Sequence, residues 1–108
     1  MTFEPMQHIP DLQLIKVEQH HIDMGKPRDG HSCPIYHAIQ EVYPDCEINI
    51  SKIVEIWPHP CVTFEWQPSQ QLAKWVSDFD KGLQVNPILI KLIKRSKPSM
   101  TADIVREY

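Results

Sequence analysis

At 108 residues the chain has room for one small hydrophobic core and not for two ordinary domains. Apolar residues make up 42% and charged residues 23%, a globular balance rather than a disordered one. A net charge of −3 gives no general attraction to a nucleic-acid polymer or an anionic membrane, so any anion binding has to come from a local patch.

No basic start followed by an apolar run opens the chain, and Lys91 interrupts the longest apolar stretch, Pro87 to Ile93. Both features argue against secretion and membrane insertion. Three cysteines without paired spacing fit a reducing cytoplasm better than a disulfide framework.

Residues 1 to 11 hold two prolines and no periodic signal, and read as an extended arm. Leu12, Leu14, Ile15 and Val17 predict a first strand, and Glu18 to Met24 a short helix ending at Gly25. Ile35, Ala38, Ile39 and Val42 recur at helical spacing, which predicts a helix from Cys33 to about Tyr43, where Pro44 and Asp45 break it. Ser32 is the expected cap of that helix and Pro34 an early helical residue.

Three strand-like runs follow, Cys46 to Ile50, Lys52 to Trp57 and Cys61 to Trp66. Pro58 and Pro60 separate the last two. From Pro68, Leu72, Trp75, Val76 and Phe79 lie on one helical face, and Gly82 supplies a stop. Ile88 to Ile93 reads as a strand, and the tail from Thr101 as a helical turn or two carrying Ile104, Val105 and Tyr108 on one face.

The elements add up to an α+β fold: a single small domain, residues 12 to 95, with a mostly antiparallel sheet of about five strands and two to three helices on one face. Residues 96 to 108 read as a C-terminal extension.

The unusual chemistry is concentrated in the loop Gly25 to Pro34, which holds two of the three glycines together with Lys26, Arg28 and His31 and runs into the first long helix. The unpaired N–H groups of a helix start and the positive end of its dipole make such a loop a candidate cradle for phosphate or carboxylate. The candidate ligand-binding residues are Lys26, Arg28, His31, Ser32 and Cys33, with Trp66 to stack on a base. Asp29, inside the loop, opposes a purely anion-seeking surface.

Lys91, Lys94, Arg95 and Lys97 form a second basic cluster, explained equally by a solvated strand face. His20 and His21, adjacent on a helix, point about 100° apart and are poorly placed to share one metal ion. His31, Cys33 and His37 match no established ligand spacing, so no metal or cofactor is expected. Cys33 at a helix start, with His31 or His37 as base, is the nucleophile arrangement to be tested.

His21-Ile22-Asp23-Met24-Gly25, then Cys33-Pro34-Ile35 and Ala38-Ile39, resemble a group of small proteins carried by bacteriophages and some bacteria, with the pattern H-I-x-x-G, seven residues, C-P-I-x-x-A-[IL]. Trp75-Val76, Phe79-Asp80, Gly82, Val85 and Pro87 continue the agreement, which spans residues 12 to 93. That group brings no established activity; the resemblance implies a phage-like setting.

By analogy with small phage proteins, the expected function is non-enzymatic. The protein would bind and sequester a small anionic ligand such as a signalling nucleotide of bacterial antiviral defence, in the host cytoplasm, with the pocket at a homo-oligomer interface. The alternatives are a protein-interaction inhibitor of a host enzyme acting through the tail or a sheet edge, and a small Cys/His-dependent hydrolase.

Overall fold

The computed structural model describes residues 9–94 and 100–108; most of the expected N-terminal arm, and Arg95 and Lys97 of the second basic cluster, lie outside them. The chain forms β1 (Leu12–Val17), α1 (Gln19–Met24), α2 (Pro34–Val42), β2 (Glu47–Ile50), β3 (Val54–His59), β4 (Val62–Pro68), α3 (Gln70–Asp80), β5 (Ile88–Lys94) and β6 (Met100–Glu107). Together these make a small α+β domain built on a six-stranded mixed sheet in the order β1-β5-β6-β4-β3-β2.

Two antiparallel units, β1-β5-β6 and β4-β3-β2, meet at one parallel pairing, Gln67 opposite Thr101 and Pro68 opposite Ala102. A strand has a side-chain period of two, so each presents one face to the core. Ile15 and Val17 of β1, Ile48 and Ile50 of β2, Val54 and Ile56 of β3, and Ile88, Ile90 and Leu92 of β5 are buried in this alternation. Against them pack Ile35, Ala38 and Ile39 of α2 and Leu72 and Trp75 of α3.

The helix ends follow from local chemistry. Ser69 Oγ accepts the N–H of Leu72 (3.1 Å) and starts α3, while Pro68 remains in β4. Gly82, at φ +79°, supplies the left-handed residue that ends the helix. The cap of α2 is Cys33 rather than Ser32, with Pro34 at the start of the helix. Ser32 Oγ instead faces His37 Nε2 at 3.2 Å.

Two further expectations are corrected. The tail is not helical: Met100–Glu107 is a strand inside the sheet, paired with β5 on one side and β4 on the other, so the segment read as an extension supplies part of the domain's framework. β3 also continues through Pro58 to His59, because the register shifts between Ile56 and His59 and the irregularity accommodates a residue with no N–H to donate.

The loop before α2 is fastened to the sheet at Gly30, whose carbonyl accepts the N–H of Ile50 (3.0 Å). A Cβ at Gly30 would lie 2.4 Å from the Ile50 carbonyl oxygen, a backbone atom that cannot swing aside. Gly30→Ala is therefore expected to lower the urea unfolding midpoint, by the equivalent of about 1–3 kcal/mol for overpacking. Gly82→Ala meets open space and costs only the left-handed backbone, about 1–2 kcal/mol. Equal midpoints for Gly30→Ala and the unmodified chain would contradict this account of the loop's anchoring.

Candidate functional site

Loop 25–33 spends its amides on itself and its neighbours. Lys26 N–H donates to the Ser32 carbonyl (2.7 Å), Ser32 N–H to the Asp29 carbonyl (3.0 Å), His31 N–H to Asp29 Oδ1 (2.9 Å) and Arg28 N–H to Asp80 Oδ1 (2.8 Å). At the helix start the Cys33 side chain makes no capping hydrogen bond, and the N–H groups of Ile35 and Tyr36 only favour its thiolate. The loop amides of the expected phosphate cradle, those of Lys26, Arg28, His31 and Ser32, are thus taken up from within. Asp29, which had counted against an anion site, is the residue that organises the turn.

Beside this loop lies a cleft that involves only some of the candidate residues. Two adjoining hollows of about 400 Å³ each share Arg28, Ile50, Ser51, Lys52, Val76 and Asp80, between the loop, the β2–β3 turn and α3. Ile35, Ile50, Val54 and Leu72 form the buried apolar floor, and Arg28, Lys52 and Lys81 stand exposed around it. The carboxylates present are Asp80 and, in the hollow on the loop side, Asp29. Each already accepts a backbone N–H through Oδ1, so both are partly compensated.

Arg28 takes a left-handed backbone, φ +60°, which is uncommon for a residue with a side chain. The contact from its N–H to Asp80, near the end of α3, holds that conformation.

The remaining candidates are dispersed. Cys33 touches the hollow on the loop side but is only 4% exposed. His31 lines a separate hollow with Glu47, Glu55 and Trp57, and packs edge-on against Tyr36. Lys26 and Ser32 line neither part of the cleft.

Trp66 is fully buried, so it belongs to the core and has no face to offer a base. Lys94 is likewise committed internally: its ammonium donates to the Ile9 carbonyl (2.7 Å) and lies 4.8 Å from the Phe64 ring centre. Sequence reasoning missed Lys52, Lys81 and Val76. They come from a turn, a helix end and a helix face, and no local pattern links them.

The cysteine nucleophile finds little support. Burial drives the Cys33 thiol up to about 11, outweighing the two backbone N–H groups that favour its thiolate. His37 is turned toward Ser32, and burial holds its imidazole below the usual value.

The two adjacent histidines do reach one point, contrary to the expectation from helix geometry. Their ring centres are 3.9 Å apart, and Glu41 Oε1 lies 3.0 Å from His20 Nε2 and 2.8 Å from His21 Nε2. His21 is 1% exposed, and its Nδ1 accepts the N–H of Glu18 (2.8 Å). This bond places the neutral ring's proton on Nε2, facing Glu41, where a metal ligand would need a lone pair. The cluster is therefore a latch between α1 and α2 built on a carboxylate and two imidazoles. Those contacts, His20 first, hold the Glu41 carboxyl below its usual range.

Both the His37 and the Glu41 shifts are downward, so the stability they contribute is present above the ordinary values of 6.5 and 4.5 and is lost as pH falls through the folded-state values. The urea midpoint is expected to decline on acidification through this window, and Glu41→Gln to flatten the lower part of the decline. A pH-independent midpoint would refute the assignment. Alkylation followed by mass spectrometry at mildly alkaline pH should label exposed Cys61 and spare Cys33. Labelling of Cys33 at the rate of Cys61 would reinstate a reactive thiol.

Set beside protein-family models, curated proteins and solved structures, the chain matches none of them.

Proposed function

We propose that the protein is a non-enzymatic binder that holds a small anionic ligand in the cleft between the Arg28 loop, the β2–β3 turn and α3. The observation that carries this reading is that Arg28, Lys52 and Lys81, from three separated segments, gather around an apolar floor in a chain whose overall charge is −3. Charge-assisted hydrogen bonds at such a rim hold an anion more strongly than neutral ones, and the floor takes up the rest of the ligand.

Sequestration is favoured over turnover by the make-up of the lining. Ser51 and Ser77 are its hydroxyls, no histidine accompanies them in either hollow, and the one cysteine is buried with its thiol raised. No helix among the described residues is long and apolar enough to cross a membrane. With the resemblance to small phage proteins, this supports a cytoplasmic counter-defence protein that withdraws a signalling molecule from its host. The cleft is formed within one chain, so a homo-oligomer is compatible with binding and is not required for it.

The interaction-inhibitor reading keeps one favourable observation: Leu12 and Leu14 are about half exposed on the edge strand β1. Deleting the tail does not test it, because that deletion removes β6 from the middle of the sheet.

Small molecules released by heating the purified protein should include an intact anion, identified by mass spectrometry. Arg28→Ala and Lys52→Ala should each weaken its rebinding roughly tenfold or more, the usual effect of one hydrogen bond to a charged group. Lys26→Ala, outside the cleft, should leave rebinding unchanged. Recovery of a chemically altered ligand, or equal losses in all three variants, would overturn the proposal.

A further inference from the structure

We infer that the ligand of this cleft is an aliphatic amphiphile with a single anionic head, of the medium-chain carboxylate type, rather than a nucleotide; this rests on the anion-binding reading of the same site. The floor is branched aliphatic throughout, and the lining of both hollows contains no aromatic ring. Base recognition by proteins draws on stacking faces and on paired polar groups. Here Trp66 is sealed in the core, and Trp57 lines a different hollow, beside Glu47 and Glu55.

The polar inventory points the same way. Besides the cations, the lining side chains that hydrogen-bond are Ser51, Ser77 and Asn49 and the carboxylates of Asp80 and Asp29. Asn49 donates to Glu55, and each aspartate already accepts a backbone N–H. A ligand body rich in ring nitrogens and sugar hydroxyls would be desolvated here with few partners, which is unfavourable. A hydrocarbon chain meets no such cost, and each methylene buried improves affinity roughly fourfold.

The head has an equally specific seat. Arg28 offers a planar fork that matches a carboxylate bidentately, and Asp80 fixes the backbone from which it projects. Lys52 and Lys81 add charge from the turn and from the end of α3. A volume of about 400 Å³ in each hollow falls within the range of small-ligand sites.

Isothermal titration of the full chain with hexanoate, octanoate and decanoate, kept below their aggregation concentrations, and with 1-decanol, ATP and inorganic phosphate, tests this. The expected result is decanoate binding that tightens roughly fourfold per methylene along the series, with decanol at least tenfold weaker. Val76→Trp, which fills the cleft, should abolish it. Ala73→Trp, at an exposed position of the same wall, should do the same if Val76→Trp fails to unfold cooperatively.

ATP or phosphate binding without decanoate binding would overturn this inference and leave the anion reading standing. Decanol binding as tightly as decanoate would overturn the anion reading itself. Silence from every probe at millimolar concentration, or decanoate binding that survives both cleft-filling variants, would overturn the inference outright.

Discussion

Ser69 is the point on which the architecture turns. Its N–H donates to the Ala102 carbonyl (2.7 Å), extending a parallel pairing of only two residue pairs, and its hydroxyl caps α3. One residue therefore joins the two antiparallel halves of the sheet and starts the helix that walls the cleft. Parallel pairing is slightly weaker per residue than antiparallel, so so short a seam depends on what packs over it. Leu72 and Trp75 of α3, with fully buried Trp66 and Ala102 in the strands beneath, supply that cover.

The same economy governs the site. A basic glycine-containing loop at a helix start suggests an anion held by backbone amides, yet those amides serve the fold. Gly30 ties the loop to β2, and Arg28 ties it to α3 through Asp80. With the loop backbone bonded to both walls, the positive character of the cleft is carried by side chains. The latch of His20, His21 and Glu41 does the corresponding work on the far side of the loop, holding α1 against α2.

Periodicity made much of this fold legible. α2, α3 and β5 have apolar spacings that admit one reading each, and the observed limits of these elements, as of β1 and α1, fall close to those expected. β6 was not legible, because Met100–Glu107 buries only Ala102 fully and mixes Thr101, Asp103 and Arg106 with Ile104 and Val105. Its strand character is conferred by β5 and β4, neighbours distant in sequence.

Trp66 has a parallel explanation: an aromatic near a strand end faces either core or solvent, and the inward alternation of β4 decides it. Of the candidate binding residues, Arg28 sits in a conspicuous loop and lines the cleft. Lys52 and Lys81 are surface lysines by every local measure and come to line one cleft only through the packing of α3 beside the β2–β3 turn.

The place of β6 has a consequence for how the polypeptide acquires its shape as it leaves the ribosome. The strand that closes the middle of the sheet is the last of the six to be synthesised, so β1 with β5, and β2 with β3 and β4, emerge as two nascent fragments with facing unpaired edges. Each fragment is open to mispairing with another chain until β6 arrives and zips them together.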